Sequence, residues 1–597
     1  MKSEHNADYS WQKIIEIALR HKRQLVSAHI IALLATFISV PIPLLLPLLV
    51  DEVLLNQPAT LVNTVNWIFP VSWQGAILTV AAIALFVVFL RLISLVLNVW
   101  QMRQFTLIAK DVVYRIRKNL INRLQRVSMA EYETLGSGKV ISHLVTDLDT
   151  LDQFIGVSVG RLLISILTII GTAIILLCLH WQLALFLLFF NPIVIYSTVR
   201  LGRKIKDLKK QENRAYSIFQ ETLSETLEAI QQIRAYNREP YYLGRVINRA
   251  EQIKNYAIAY AWQNEAASRF SFHIFILSVD IFRAVTMLIV VFSDLTIGQM
   301  FAVFGYLWFM LTPVQEIINI QYSYHSAKAA LQRVNKLFAL SKEPSYPHQL
   351  NPFKNQITTS ISLENICFSY NQQDWVLNHI SLNIGAGEKV ALVGASGGGK
   401  TTLVHIILGL YTPQSGDIYF NNTSVKKIGM DVVREHVATV LQHPALFNDT
   451  LRMNLTLGRE RSDEQLWQAL DIAQLSDVVK NMENGLDTLL GQRGIRLSGG
   501  QRQRVAVARM ILANPKVVIL DEATSALDTA TESQLHTALN EFLENKTTII
   551  IAHRLSAVKQ ADRVFVFDKG RIIEEGHHDS LIRENGLYMK LYGRQGH

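Results

Sequence analysis

The apolar run Lys389–Val393 leads into Gly394-Ala395-Ser396-Gly397-Gly398-Gly399-Lys400-Thr401-Thr402 and then into an apolar helical pattern. Glycines at this spacing let backbone N–H groups close around phosphate oxygens, and the N-terminus of the following helix adds its positive dipole. Lys400 is placed to reach the β- and γ-phosphates of a nucleotide, and Thr401 to hold Mg²⁺. A second apolar run, Val517–Leu520, ends in Asp521-Glu522. A strand that delivers a carboxylate beside a phosphate loop serves the metal, so Asp521 is the Mg²⁺ candidate. Glu522 can polarise an attacking water as general base. An acidic pair by itself would be read as a favourable helix start; beside a phosphate loop it is read as chemistry.

The elements that must hold these residues divide the chain in two. Its 597 residues are too many for one core. Half of them are hydrophobic and only 18% are charged. Before about residue 325 the apolar residues form long runs; after about 355 strand-like runs alternate with helical patterns, as in an α/β sheet. Six segments are long enough to cross a bilayer, near 24–50, 76–100, 154–178, 182–201, 270–292 and 299–320. Pro41, Pro43 and Pro47 in the first would break a soluble helix, but a membrane helix tolerates them when its neighbours satisfy the backbone. The stretch Ser341–Ser360, with Pro344, Pro347 and Pro352 among polar residues, reads as a linker.

Charge orients the membrane half. The segments 51–75, 178–182 and 293–298 carry no Lys or Arg, whereas 101–150 carries eight and 202–269 carries twelve. Positive loops stay in the cytoplasm, so both termini are expected there. The net charge of +9 is gathered beside the membrane segments, which argues against a nucleic-acid partner. The N-terminus, Met1–Ser10, is polar without a cleavable apolar region, so the first membrane helix would itself direct insertion. The two long inside segments are helical in pattern and read as continuations of the membrane helices. Their reversals are expected near Gly136–Leu144 and Asn213–Thr222. The two cysteines, Cys178 and Cys367, show no ligand partner at metal-site spacing, and a disulfide is not expected.

Between the phosphate loop and Asp521 lies Leu497-Ser498-Gly499-Gly500-Gln501-Arg502-Gln503, which resembles the signature of ABC transporter ATPases. The resemblance covers about residues 360–590 in order and spacing. It implies that Tyr370 stacks on adenine and that Gln442 is the Q-loop glutamine, near the metal and the catalytic site. It implies further that Asp528, in Ser525-Ala-Leu-Asp528, belongs to the D-loop and that His553 is the switch histidine. In this family Ser498, Gly499, Gly500 and Gln501 bind ATP held by the opposite domain, so two chains would be needed for each working unit. That implies a second copy of this chain or a related half-transporter, with ATP and Mg²⁺ as ligands. One departure is Gly491-Gln492-Arg493-Gly494, where the family often has Gly-Glu-x-Gly.

The membrane half resembles the exporter type of this family through Leu295-Thr-Ile-Gly298, Pro313 and Asp147-Leu-Asp149. By that resemblance the inside reversals would dock on the ATPase domain near Gln442. The expected architecture is a six-helix all-α transmembrane domain (1–325) with long cytoplasmic extensions, a connecting helix and linker (326–359), and an α/β phosphate-loop ATPase domain (360–597). The expected activity is ATP-driven export across the cell membrane. The alternative is a membrane-anchored ATPase that regulates a partner without transport. A charge at mid-membrane costs from about 2.5 kcal/mol upward. Yet His273, Asp280 and Arg283 fall within the fifth membrane segment and Arg91 within the second. Asp280 and Arg283, three apart, can pair on one face. A cavity with these residues and the aromatic Phe304, Trp308 and Phe309 would suit an amphipathic substrate: a drug-like compound, a lipid or a small peptide.

Overall fold

A computed structural model describes residues 8–593 except 355, 372, 443, 492–493, 523–527 and 553, and gives backbone course alone at 137, 186–204, 318 and 529–530. The chain forms two compact units, one from residues up to Arg123 with Gly138–Ala339, the other from Leu124–Ser137 with Leu340–His597.

The first unit is helical. Among the described residues, five helices are long and apolar enough to cross a membrane: Lys22–Leu54, Ala76–Leu124, Gly138–Leu179, Glu239–Phe292 and Ile297–Phe338. The expected fourth segment, 182–201, lies in the helix Trp181–Glu228, but the side chains of 186–204 are outside the described residues. At 1.5 Å per residue the 54-residue helix Glu239–Phe292 is roughly 80 Å long, against about 30 Å of hydrocarbon. A helix of that length extends well beyond the hydrocarbon thickness, in keeping with the charged residues that lie outside its apolar stretch.

The first span is interrupted at the first of its prolines, and Pro43 and Pro47 lie within the helix that follows. Helix Lys22–Ser39 ends before Pro41, and Ile42–Leu49 resumes after it. The Tyr306 hydroxyl of the last membrane helix donates to Val40 O at 2.8 Å. A neighbouring helix thus satisfies the carbonyl at the break, the condition under which proline survives in a membrane.

The Leu295–Gly298 stretch acquires a physical role. Thr296 caps the helix Ile297–Phe338 in a reciprocal capping box with Gln299. Buried Asp51, at the end of the first span, accepts from Thr296 Oγ1 at 2.5 Å and from Gly298 N at 2.8 Å. A Cβ at Gly298 would meet Pro47 O at 2.7 Å, so only glycine allows this approach. Adjacent Glu52 accepts from Leu61 N at 3.0 Å and Val62 N at 2.6 Å. Asp147, which the sequence singled out, is buried and accepts from Arg333 Nη2 and His143 Nδ1, each at 2.6 Å.

Of the two expected reversals, the second falls elsewhere and the first begins earlier than expected, reaching only the start of its range. The helix Trp181–Glu228 runs through Asn213–Thr222 unbroken, and the chain turns at Ala229–Arg238, with Asn237 in the left-handed conformation at φ 54°. The sequence before the turn carries no Gly or Pro to announce it. The first reversal runs from the end of the helix Ala76–Leu124 through the short helix Met129–Leu135 to Gly136.

The second unit is built on two sheets. Its strands are β1 (Ile361–Phe368), β2 (Leu377–Ile384), β3 (Lys389–Gly394), β4 (Ser415–Phe420), β5 (Thr423–Ser424), β6 (Val437–Val440), β7 (Val517–Asp521), β8 (Thr547–Ile551), β9 (Arg563–Asp568) and β10 (Arg571–Gly576). The antiparallel sheet has the order β2-β1-β4-β5, and the larger sheet β10-β9-β3-β8-β7-β6. In the larger sheet β9, β3, β8, β7 and β6 are parallel, and β10 is antiparallel to β9. All five residues of β7 are buried, as a parallel strand covered on both faces demands. Alternate residues of β3 feed two cores. Val390 and Leu392 pack with Leu403 and Val404, while Ala391 and Val393 join Leu497, Val505 and Leu520. The phosphate loop therefore leaves a strand fixed from both sides.

Candidate functional site

The loop after β3 turns sharply because its glycines take backbone conformations other residues avoid. Gly394, Gly397 and Gly399 lie at φ 142°, 79° and 96°. At Gly399 a Cβ would also strike Val376 O at 2.8 Å. Lys400 opens the helix Lys400–Ile407 and is buried. Its ammonium donates to Gly394 O at 2.9 Å and Ala395 O at 3.0 Å, which closes the loop on itself. Burial presses this ammonium toward its neutral form, and the Glu522 and Asp521 carboxylates oppose that. Thr401 is exposed beside it and Thr402 buried.

Register aligns the acidic pair with the loop. Asp521, the last residue of β7, pairs with Ile551 of β8, and Leu392 of β3 pairs with the same Ile551. The loop and the acidic pair thus emerge at the same end of the parallel sheet, where ligands of such sheets bind. Asp521 is buried. Glu522 follows in a left-handed conformation at φ 47°, a strained geometry for a non-glycine residue. Its Oε2 accepts from Gln442 Nε2 at 2.7 Å, so Gln442, two residues past β6, reaches the acidic pair. This cluster can hold a cation with Asp521 and present a carboxylate to water through Glu522. Among the described residues no group of three or more His, Cys, Asp or Glu forms a metal site, so a cation here would need the phosphates to complete its ligands.

The signature stretch is a helix start. Ser498 caps Gly499–Ala513: its hydroxyl accepts from Gln501 N at 3.2 Å, and its own N–H donates to Gln501 Oε1 at 2.9 Å. Ser498 and Gln501 thereby fix the first turn, and Gly499 and Gly500 begin the helix without side chains in the way. A 15-residue helix presents its positive end at these glycines, a surface suited to an anion. Asp528 caps another helix, Thr529–Leu543, with Oδ1 accepting from Thr531 N at 2.9 Å. His553, Ser525–Leu527 and Gln492 lie outside the described residues.

Tyr370 is 53% exposed, as a stacking platform must be, and its hydroxyl pairs with Thr402 Oγ1 at 3.1 Å. Sequence reasoning missed the two rings behind it. Phe368 and Tyr411 meet Tyr370 edge-on, with centroids 4.9 and 5.2 Å away. Tyr411 lies 41 positions further on, and no spacing rule joins the two. Gln503, within the quoted signature stretch, was also passed over: it is buried, with Nε2 3.5 Å from Gln442 O and 3.4 Å from Glu522 O.

In the membrane unit the polar candidates are only partly gathered. Arg283 Nη1 stands 3.9 Å from Asp280 Oδ1, and its guanidinium lies 5.4 Å over the Phe304 ring. Phe275 meets Trp308 edge-on at 6.0 Å. His273 bonds back to Arg269 O at 3.0 Å, on its own helix. Arg91 is exposed on the helix Ala76–Leu124 and joins neither group in the described contacts.

Fold and site together define an ATPase joined to a multi-pass membrane unit. Residues 377–525 match the family model "ABC transporter" and residues 25–314 match "ABC transporter transmembrane region". The ATP-dependent lipid A-core flippase of Saccharophagus degradans is 32% identical over 82% of this chain and 83% of its own. A Bacillus subtilis protein named for multidrug export, the ATP-binding/permease protein YgaD, is 30% identical over 97% of this chain and 98% of its own. A solved bacterial Atm1-family ABC exporter with ATP bound shares the fold at TM-score 0.80 and 24% identity, over 96% of this chain and 98% of that one. The chain belongs to the ABC transporter family, as an exporter-type half-transporter. It binds ATP, couples its hydrolysis to export, and is of a kind that generally dimerises.

Proposed function

We propose that two identical copies of this chain export an amphipathic compound from the cytoplasm, with both termini inside. Each ATP is held by Tyr370, Gly394–Thr402 and Mg²⁺ on one chain and by Ser498–Gln501 and Asp528 on the other. Thr401, Gln442 and Asp521 bind the Mg²⁺, Glu522 is the general base, and His553 assists by its resemblance to the switch histidine. The membrane-facing candidates are Arg91, His273, Asp280 and Arg283. The observation that carries the substrate class is the Asp280–Arg283–Phe304 cluster: a carboxylate and a guanidinium three positions apart on one helix, with an aromatic face of the next helix against the guanidinium. At 3.9 Å the ion pair is loose, so a ligand's polar part can compete for either member while its apolar part meets the rings. Two relatives point the same way, one named for a lipid A-core and one for multidrug export.

The test is ATPase activity in lipid discs across a panel of drug-like compounds, lipids and short peptides, for the native chain and Asp280→Asn. The reading expects some compounds to stimulate the native protein and Asp280→Asn to change their ranking while basal hydrolysis stays. If every stimulation is unchanged in the folded variant, the cluster is structural and the substrate reading fails.

A further inference from the structure

Glu522 follows β7 in its left-handed conformation at φ 47°. Such a geometry persists in a non-glycine residue only where the surroundings over-determine it. One of those surroundings is the peptide between Ile551 and Ala552, at the end of β8. Its carbonyl, Ile551 O, accepts from Glu522 N at 3.4 Å, a long bond. Its N–H, on Ala552, donates to Leu392 O of β3 at 3.2 Å. This one peptide thus ties the backbone of Glu522 to the strand that leads into the phosphate loop.

Ala552 lies just past the last residue of β8 and is buried. Its own carbonyl accepts from the Tyr592 hydroxyl at 3.1 Å, a buried bond that spans 40 positions of the chain. Tyr592 ends the short helix Leu587–Tyr592, and other contacts hold that helix along its length. At its start the Glu574 carboxylate, from β10, accepts from Leu587 N and, at 3.1 Å, from Tyr588 N. Tyr588 is fully buried, with its hydroxyl 2.6 Å from His578 Nδ1 and its ring centroid 5.3 Å from that of Tyr592. Tyr588, Tyr592 and Ala552 share one core with Val564 and Val566 of β9 and Leu520 of β7. A ring packed into that core has little freedom, so the Tyr592 hydroxyl is a fixed donor. Burial pushes its phenol above the ordinary range, which keeps the proton on the oxygen near neutral pH. A buried carbonyl deprived of its donor is costly, so the backbone at Ala552 is free to rest where it does only while Tyr592 meets it.

We propose that Tyr592 is a positioning residue for ATP hydrolysis: its hydroxyl fixes the Ala552 carbonyl and, through the Ile551–Ala552 peptide, the backbone that aims Glu522. The proposal rests on the reading of Glu522 as the general base. Tyr592 acts through backbone alone, so its effect falls on the rate of the chemical step and not on affinity for ATP. The last short helix of the ATPase unit is then part of what sets that rate, although its residues follow Glu522 by more than sixty positions.

The experiment measures single-turnover ATP hydrolysis by the full chain in lipid discs, with protein in saturating excess over ATP, for Y592F, Y588F, E522Q and the Y592F/E522Q double variant. The rate constant reports the chemical step, and the amplitude reports the folded fraction. Y592F should lower the rate constant about threefold to thirtyfold, with amplitude and ATP affinity unchanged. Y588F removes the sister hydroxyl of the same helix and should leave the rate constant within about twofold, whatever it does to the thermal midpoint. In the E522Q background Y592F should change the residual rate by less than about twofold, because the group it positions is already gone. A native rate constant in Y592F, equal slowing in Y592F and Y588F, or full multiplication of the two effects in the double variant overturns the proposal. E522Q separates the two levels. If it hydrolyses ATP at the native rate, the general-base reading falls and the proposal with it; if it is slow while Y592F is native, the proposal alone falls. Should Y592F fold poorly, E574A decides, because it frees the start of the same helix and leaves the Tyr592 ring intact. It should lower the rate constant about twofold to tenfold at unchanged ATP affinity, and a native rate constant contradicts the link.

Discussion

Glu522→Gln isolates the chemical step from everything that surrounds it. Glu522 follows β7 at φ 47°, and its carboxylate takes a 2.7 Å hydrogen bond from Gln442. Glutamine has the same length, and its amide oxygen can accept the same bond, so the strained turn and the Gln442 contact persist. What is lost is the ability to take a proton from water. General-base catalysis contributes about 10²–10⁴ in rate, which is about 2.7–5.5 kcal/mol of activation free energy. ATP affinity should hold or tighten slightly, because the lost carboxylate is one of two negative charges acting on the Lys400 ammonium beside the phosphate site. The assay is single-turnover hydrolysis in lipid discs with protein in excess, together with nucleotide binding on the same sample. A rate within tenfold of the native chain, with binding intact, would refute the role given to Glu522. The companion Gln442→Glu places two carboxylates at a 2.7 Å contact and should break it, lowering hydrolysis while leaving the proposed general base in place.

Lys400→Ala removes the ammonium that closes the loop on Gly394 O and Ala395 O, and should weaken ATP binding about tenfold to a hundredfold in equilibrium binding. Gly298→Ala drives a methyl into Pro47 O and the Asp51 carboxylate, and should cost about 1–3 kcal/mol, read as a lowered thermal midpoint in detergent. Burial holds the His405 imidazole below the ordinary value of about 6.5, so below that pH the unfolded chain binds a proton the folded chain refuses. Stability from this group is therefore complete above about pH 6.5 and is lost as pH falls; His405→Asn should flatten the decline of the thermal midpoint between about pH 7.5 and 5.5.

What could be read in the residues was what local chemistry dictates. Gly394, Gly397 and Gly399 sit where positive φ is required, and the apolar runs that became β3 and β7 carry the loop and Asp521 as their composition suggested. Ser498 and Gln501 also announce a helix start by themselves, because Ser-x-x-Gln is a capping box. What could not be read lies across the chain. The reversal at Ala229–Arg238 carries no glycine or proline before it, so nothing local marks where the preceding helix ends. Leu295–Gly298 is a bare pattern in the sequence; its reason is the Asp51 carboxylate, 247 positions away from Gly298. Tyr411 escaped for the same cause, since an edge contact between rings leaves no trace in spacing.

The most direct test of the account is transport by the purified chain alone in liposomes, with the ATPase unit facing outward. Uptake into the lumen of a fluorescent drug-like compound, or movement of a headgroup-labelled lipid to the inner leaflet, is followed after Mg-ATP addition. The account predicts ATP-dependent movement by particles with the mass of two chains, abolished in Glu522→Gln. Steady ATP hydrolysis without movement of any probe that stimulates it, or full activity in single-chain particles, would contradict it.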